Sequence, residues 1–113
     1  MAKSGPVTDV MVVLSTCPDD VTARRLAAGL VEAGLAACVN ILPEIRSIYR
    51  WQGQTLDEAE TLLIAKTTRR VYPELEAWLR KHHPYQVPEV LGLPVQAGAS
   101  DYLDWVLSET PNK

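Results

Sequence analysis

The chain has 113 residues, 47% of them apolar and 22% charged, with a formal net charge of -3. This balance excludes a disordered chain, and the length suits one domain over residues 1–113, with 1–8 and 109–113 expected to fray. A mildly acidic chain without clustered Lys and Arg is a poor nucleic-acid binder.

The first half of the chain predicts a strand, a helix and a second strand. A β-rich apolar run over 10–14 predicts a buried strand. Helical spacing of apolar residues follows, with Asp19 and Asp20 at the helix start and Gly34 just after its end. Residues 36–42 predict the second strand, Pro43 predicts a bulge or an edge, and the strand pattern resumes over 45–51.

The second half predicts a hairpin and two more helices. A turn at 52–54 leads into a third strand over 62–66, which begins some residues earlier. Thr67 or Thr68 is expected to cap a helix that starts near Tyr72, and Pro84 ends it. An irregular fourth strand over 87–95 and a short helix over 101–107, capped by Ser100 or Asp101, follow. This order predicts an α+β, ferredoxin-like fold (βαββαβ plus a C-terminal helix), with both crossover helices on one face of a four-stranded antiparallel sheet.

The β2–β3 hairpin is too long for the domain that carries it. The 15 residues of 37–51 span about 50 Å at about 3.3 Å per residue, whereas a domain of this size is about 35 Å across. The projecting end carries Ile48, Tyr49 and Trp51, so we expect it to pair with another subunit. The alternative is that Pro43 folds the strand back on itself.

Five ordered segments resemble the CutA family of divalent-cation tolerance proteins. They are residues 35–40 (LAACVN), 47–53 (SIYRWQG), 65–68 (AKTT), 83–89 (HPYQVPE) and 98–105 (GASDYLDW). The resemblance covers about residues 10–107 and implies a ferredoxin-like subunit in a homotrimer. It also implies a link to copper and other heavy-metal tolerance.

His82 and His83 are the only histidines, and imidazole suits Cu(II) and other divalent transition metals. In copper-binding members of the family a cysteine at the end of the first strand joins the paired histidines. Ser15 occupies that position here, and Cys17 could replace it if the strand alternation persists to residue 17. Its place beside a helix start would favour the Cys17 thiolate. The competing interpretation is that both histidines only stabilise a helix C-terminus.

A second group of residues predicts a ligand cleft between subunits. Lys66 ends a strand next to the helix cap and could meet a small anion there, with Tyr85, Trp51 and Glu60 around it. The alternative for Lys66 is an ion pair with Glu60 or Glu89. Such a cleft would suit a trimeric regulatory protein similar to the PII signalling proteins.

Motifs for catalysis are missing, since the sequence has no nucleophile elbow, P-loop or GxGxxG segment. No apolar run reaches the about 20 residues of a membrane helix, and residues 1–6 lack a secretory pattern. We therefore expect a cytoplasmic homotrimer that is not an enzyme, has no nucleic-acid or membrane partner, and binds divalent metal ions such as Cu(II).

Overall fold

The fold is a four-stranded antiparallel sheet with two helices on one face. The computed structural model describes residues 8–111, so the expected fraying of 1–7 and 112–113 lies outside the described residues. The strand order is β2-β3-β1-β4, which confirms the predicted ferredoxin-like topology. The elements are β1 (Val10–Cys17), α1 (Asp20–Glu32), β2 (Cys38–Trp51), β3 (Gln54–Thr68), α2 (Tyr72–His82), β4 (Leu91–Pro94) and α3 (Ser100–Glu109).

Alternation along the two central strands gives the sheet two different faces. Val13 and Cys17 of β1 and Leu63 and Ala65 of β3 are buried beneath α1 and α2, which form the helix face. The residues between them point to the other side, as the period of a strand requires. This open face carries apolar side chains from three strands: Val12, Leu14, Leu62, Ile64, Leu91 and Leu93.

Helix α1 begins and ends as its sequence predicts. The Asp19 carboxylate accepts a hydrogen bond of 2.8 Å from the backbone N–H of Thr22, so Asp19 is the N-cap. Gly34 has a φ of 73°, a left-handed conformation that glycine adopts without a Cβ clash. The two residues therefore fix the length of the helix.

The predicted threonine cap of α2 is wrong. Val71 occupies the N-cap position, and no side chain bonds to the first turn. Thr67 and Thr68 belong to β3 and are buried, and the Thr67 hydroxyl donates to the Leu35 carbonyl at 2.7 Å. Pro73 in the first turn requires no N–H partner, which lessens the need for a cap.

The hairpin of β2 and β3 projects as predicted. β2 pairs with β3 from Cys38 to Trp51, so Pro43 does not fold the strand back. A bulge between Leu42 and Ile45 shifts the register, and Glu44 takes a left-handed φ of 61° there. Ile48 is 70% exposed and Trp51 45% exposed near the tip, which confirms the apolar projection.

The C-terminal part of the chain packs across one end of the open face. α3 places Val106 against Val10 and Ala37. Its N-cap is Ala99 rather than Ser100 or Asp101, and no side chain caps it. Glu109 belongs to α3, although we expected it to fray, and Thr110 is buried with its hydroxyl donating to the Val106 carbonyl at 2.8 Å.

Two other boundaries differ from the sequence prediction. The fourth strand is limited to Leu91–Pro94 instead of 87–95, because residues 83–90 form a loop that leads back to the sheet. β1 continues to Cys17 instead of ending at Leu14. Within the described residues, no helix has the length and apolar character needed to cross a membrane.

The two crossover helices meet where Gly29 of α1 faces Trp78 of α2. A Cβ on Gly29 would lie 2.5 Å from two ring carbons of Trp78, much closer than unbonded carbon atoms approach. Gly29→Ala should therefore lower the free energy of unfolding by about 1–2 kcal/mol through overpacking. In a Trp78→Ala background the same change should raise the free energy of unfolding by up to about 1 kcal/mol, because alanine has a higher helix propensity than glycine.

Urea unfolding of the wild type, both single variants and the double variant at one protein concentration measures this coupling. An equal effect of Gly29→Ala in both backgrounds would show that contact with Trp78 does not require the glycine.

Candidate metal ligands and an acidic aromatic cleft

Ser15 and Cys17 share the helix face of β1, as their spacing predicts. Both are buried, and the Ser15 hydroxyl has no hydrogen-bond partner within residues 8–111. The prediction of a favoured thiolate is wrong, because burial, assisted by the nearby charge of Glu60, raises the pKa of Cys17 to about 11. The Cys17 thiol is therefore protonated at neutral pH and is a poor metal ligand in this state.

His83 is buried, and both of its ring nitrogens are engaged. Nε2 donates to the Thr16 carbonyl at 2.9 Å, and Nδ1 accepts from the Tyr85 backbone N–H at 3.1 Å. These partners define a neutral ring with its proton on Nε2. The imidazole therefore ties the start of the loop over 83–90 to the end of β1, and it has no lone pair left for a metal.

His82 has the opposite arrangement. Its Nδ1 donates to the Trp78 carbonyl at 2.8 Å, one turn earlier in α2, and its ring stacks on the Trp78 indole with centroids 4.0 Å apart. Its Nε2 has no hydrogen-bond partner among the described residues, and the side chain is exposed. His82 thus keeps one available lone pair, on a ring whose orientation is fixed.

The three predicted metal ligands do not form one site. Over residues 8–111, no group of three or more His, Cys, Asp or Glu side chains is close enough to hold a metal ion. The chain reverses at His83, whose backbone is extended with a ψ of 140°, so the neighbouring histidines enter different environments. Of the three predicted metal ligands, only His82 has a free donor atom for a metal.

Three of the residues predicted for a ligand cleft lie together along the hairpin, on the open-face side of the sheet. Trp51, Glu60 and Tyr85 all line one depression of about 670 Å³. Strands β2 and β3 form one wall, and the loop after α2 forms the other. The remaining lining residues are Thr16, Arg46, Ser47, Ile48, Tyr49, Glu58, Gln86, Val87 and Glu89.

Two tyrosine–glutamate pairs organise the cleft. The Tyr85 hydroxyl donates to Glu60 at 2.6 Å, and the Tyr49 hydroxyl donates to Glu58 at the same distance. The bond to Glu58 raises the pKa of Tyr49 to about 12, and burial together with Glu60 raises the pKa of Tyr85 well above its ordinary value. Both phenols are therefore neutral donors across the physiological pH range.

Glu89 is a third carboxyl group in the cleft. Burial, together with the negative charge of Glu60, raises its pKa above the ordinary value for glutamate. Among the described residues, Arg46 is the one basic residue lining the cleft, and its guanidinium is bound to Asp57 at 2.9 Å. The lining is therefore rich in negative charge.

Lys66 does not line the cleft, which contradicts its predicted grouping with Trp51, Tyr85 and Glu60. It lies further along β3, where its ammonium donates to the Asn40 side-chain oxygen and lies 3.6 Å from the Cys38 sulfur. The predicted ion pair with Glu60 or Glu89 is also absent from the described residues. Within residues 8–111, no lysine therefore lines this cleft.

Tyr49, Glu58 and Glu89 are cleft residues that the sequence analysis did not assign to the site. Glu58 and Glu60 are two residues apart on one strand, so their common face follows from strand alternation. Tyr49 reaches Glu58 only because of the register of the hairpin, which sequence spacing does not reveal. The position of Glu89 in the cleft depends on the path of the loop over 83–90, which sequence spacing does not reveal either.

The buried neutral state of His83 predicts a loss of stability in acid. Burial lowers the pKa of His83, opposed in part by its bond to Thr16, so the unfolded chain binds a proton more readily than the folded one. The neutral His83 ring contributes to the free energy of unfolding above about pH 6.5, the ordinary histidine pKa. This contribution is lost as pH falls from there through the pKa of the folded state. Wild type should therefore lose more unfolding free energy between pH 7.5 and 5 than His83→Gln.

Thermal and urea unfolding in chelator-treated buffer measures this difference. Glutamine can still donate to Thr16 but does not titrate. Parallel pH profiles for the two proteins would show that His83 protonation does not contribute.

Comparison with known proteins identifies the family. Residues 11–109 match the model of the CutA1 divalent ion tolerance protein family. The divalent-cation tolerance protein CutA of Thermus thermophilus is 48% identical over 99 residues, covering 88% of this chain and 96% of that one. The CutA of Pectobacterium atrosepticum is 45% identical, covering 89% and 92%. The CutA structure of Synechococcus elongatus matches with a TM-score of 0.89 at 42% identity, covering 95% of each chain. The chain belongs to the CutA1 family of divalent ion tolerance proteins.

Proposed function

We propose that the chain is a cytoplasmic, non-enzymatic homotrimer that binds Cu(II) or another divalent transition metal through His82 and so contributes to metal tolerance. The relatives at 48% and 45% identity are named for divalent-cation tolerance. The observation that carries the metal assignment is the exposed Nε2 of His82, whose ring is held by the Trp78 carbonyl.

The surroundings of His82 resemble those of a histidine prepared for coordination. Histidine ligands commonly donate their second ring N–H to a carbonyl, which fixes the tautomer and makes the free nitrogen more basic. Neutral imidazole nitrogen suits Cu(II), Zn(II) and Ni(II). Because one protein ligand holds a metal weakly, binding would be reversible and would require water or a neighbouring molecule to complete the coordination shell.

Trimer formation is supported by the open face of the sheet. Leu91 and Leu93 of β4 are 54% and 47% exposed, and they lie beside Leu14 and Val12 of β1. An antiparallel sheet with one wet face usually carries polar residues on that face. Apolar residues on both faces indicate a second covering layer, and copies of the same subunit can supply it.

The metal proposal predicts that His82 alone is required among the three candidates. Calorimetric titration of untagged, metal-stripped protein with Cu(II) should give one site per chain. His82→Ala should weaken binding by at least about tenfold. His83→Ala and Cys17→Ser should retain Cu(II) binding, because the His83 imidazole has no free lone pair and the Cys17 thiol is buried and protonated.

Electron paramagnetic resonance of the Cu(II) complex provides a direct readout. Nitrogen hyperfine structure should be present in wild type and His83→Ala and absent in His82→Ala. Copper affinity that is unchanged in His82→Ala, or lost equally in His83→Ala, would contradict the assignment.

The trimer proposal predicts that charge on the open face separates the subunits. Leu91→Lys/Leu93→Lys should shift the sedimentation mass from three chains to one. In a trimer the two ammonium groups would be buried in the interface, and their loss of hydration is costly. Both positions are already exposed in the single subunit, so its own fold should be little affected.

Val21→Lys is the matched control, since Val21 is 78% exposed on α1, on the opposite side of the sheet. It should leave the mass unchanged. A wild-type protein that sediments as one chain, or a double variant that remains a trimer, would refute this interface.

A further inference from the structure

Gly29 lies in the interior of α1, where glycine is a poor helix former. The Trp78 indole of α2 occupies the space that a side chain would need at this position. A Cβ on Gly29 would lie 2.5 Å from Cη2 and Cζ2 of the six-membered ring and 3.8 Å from Cε2. The absence of a side chain therefore lets one edge of the indole enter the surface of α1.

The same indole also supports His82. The imidazole and the indole are stacked, with ring centroids 4.0 Å apart and 25° between their planes. The Trp78 carbonyl, one helical turn before His82, accepts the hydrogen bond from Nδ1 at 2.8 Å. Trp78 thus holds the imidazole in two ways, through its ring and through its backbone.

This support matters because His82 has little else to hold it. His82 is the last residue of α2, its side chain is exposed, and within residues 8–111 the bond to Trp78 is the one hydrogen bond of its ring. Immobilising one side chain on binding lowers affinity by about two- to tenfold. An imidazole that is already held before a metal arrives avoids this loss.

We propose that Gly29 is a positioning residue for the coordinating nitrogen of His82 and acts through the indole of Trp78. The contacts run from the backbone of α1, through the indole, to the imidazole at the end of α2. Packing between the two helices then determines how firmly the Nε2 lone pair is held for a metal. The consequence for copper binding rests on the proposed function, whereas the contact itself can be measured in metal-free protein.

Three variants test whether Gly29 acts through the indole. Gly29→Ala should displace the indole from the imidazole and weaken Cu(II) binding by about three- to tenfold. Trp78→Leu removes the stacked ring but keeps the carbonyl, and it should weaken binding to a similar extent. Gly29→Ala/Trp78→Phe should recover most of the affinity, because a phenyl ring is smaller than an indole, leaves room for the alanine methyl group and can still stack on His82.

Nuclear magnetic resonance of the histidine ring protons in metal-free protein gives the direct readout. The stacked indole should shift the His82 signals upfield in wild type. These signals should move toward those of an unstacked histidine in Gly29→Ala and Trp78→Leu, and return upfield in the double variant. His83, which is bonded to Thr16 and to the Tyr85 backbone, is the internal reference and should not move. Calorimetric titration of the same proteins with Cu(II) then measures the affinity.

Val106→Ala is the control for a general loss of stability. Val106 is fully buried between α3 and the sheet, in a cluster separate from the contact of α1 with α2. The cavity left by this change should lower the stability of the protein. Its His82 signals and copper affinity should nevertheless equal those of wild type.

Several results would overturn the proposal. They are unchanged His82 signals in Gly29→Ala, wild-type copper affinity in Gly29→Ala despite displaced signals, a loss of affinity in Val106→Ala as large as in Gly29→Ala, and no recovery in the double variant. A wild-type protein that binds no copper would refute the proposed function together with this positioning role. The two failures remain distinguishable, because the ring-proton signals are recorded without metal.

Discussion

The antiparallel pairing of β1 with β3 is the constraint on which the rest of the molecule depends. Eight residues of each strand face one another, from Val10 opposite Thr68 to Cys17 opposite Thr61. Since side chains alternate, this single register decides which residues lie beneath the helices and which form the open face. Thr16, Glu60 and Leu62 are placed on the cleft side by the same pairing that buries Cys17 beneath the helices.

His83 connects this sheet with the candidate site. Its ring bonds to the end of β1 through Thr16 and to the start of the loop through the Tyr85 N–H. Tyr85 then reaches across to Glu60 on β3. A residue that sequence reasoning treated as a ligand is thus a structural link between strand, loop and cleft, while its neighbour His82 keeps the available nitrogen.

Periodicity predicted most of the fold, and it failed where tertiary contacts determine a helix cap or the partner of a side chain. The helical stripe of α1, the bulge at Pro43 and the long hairpin all follow from local spacing and breakers. The cap of α2 did not, because the Thr67 hydroxyl is used in a buried bond to Leu35. The cap of α3 did not either, since Ala99 occupies the N-cap position instead of Ser100 or Asp101. Trp51, Glu60 and Tyr85 were grouped correctly, whereas Lys66 lies too far along β3 to reach them and bonds to Asn40 on the neighbouring strand.

The extra residue at the bulge decides the chemical character of the cleft. Before it, Asn40 and Leu42 of β2 share the side of Ile64 and Leu62; after it, Ser47, Tyr49 and Trp51 share the side of Glu58. If the ladder continued regularly past Leu42 without the bulge, Glu44 would lie opposite Glu60 and this parity would be inverted. Arg46, Ile48 and Arg50 would then face the carboxylates in place of the aromatic wall. The bulge thus separates an acidic, aromatic groove from one whose charges would be internally neutralised.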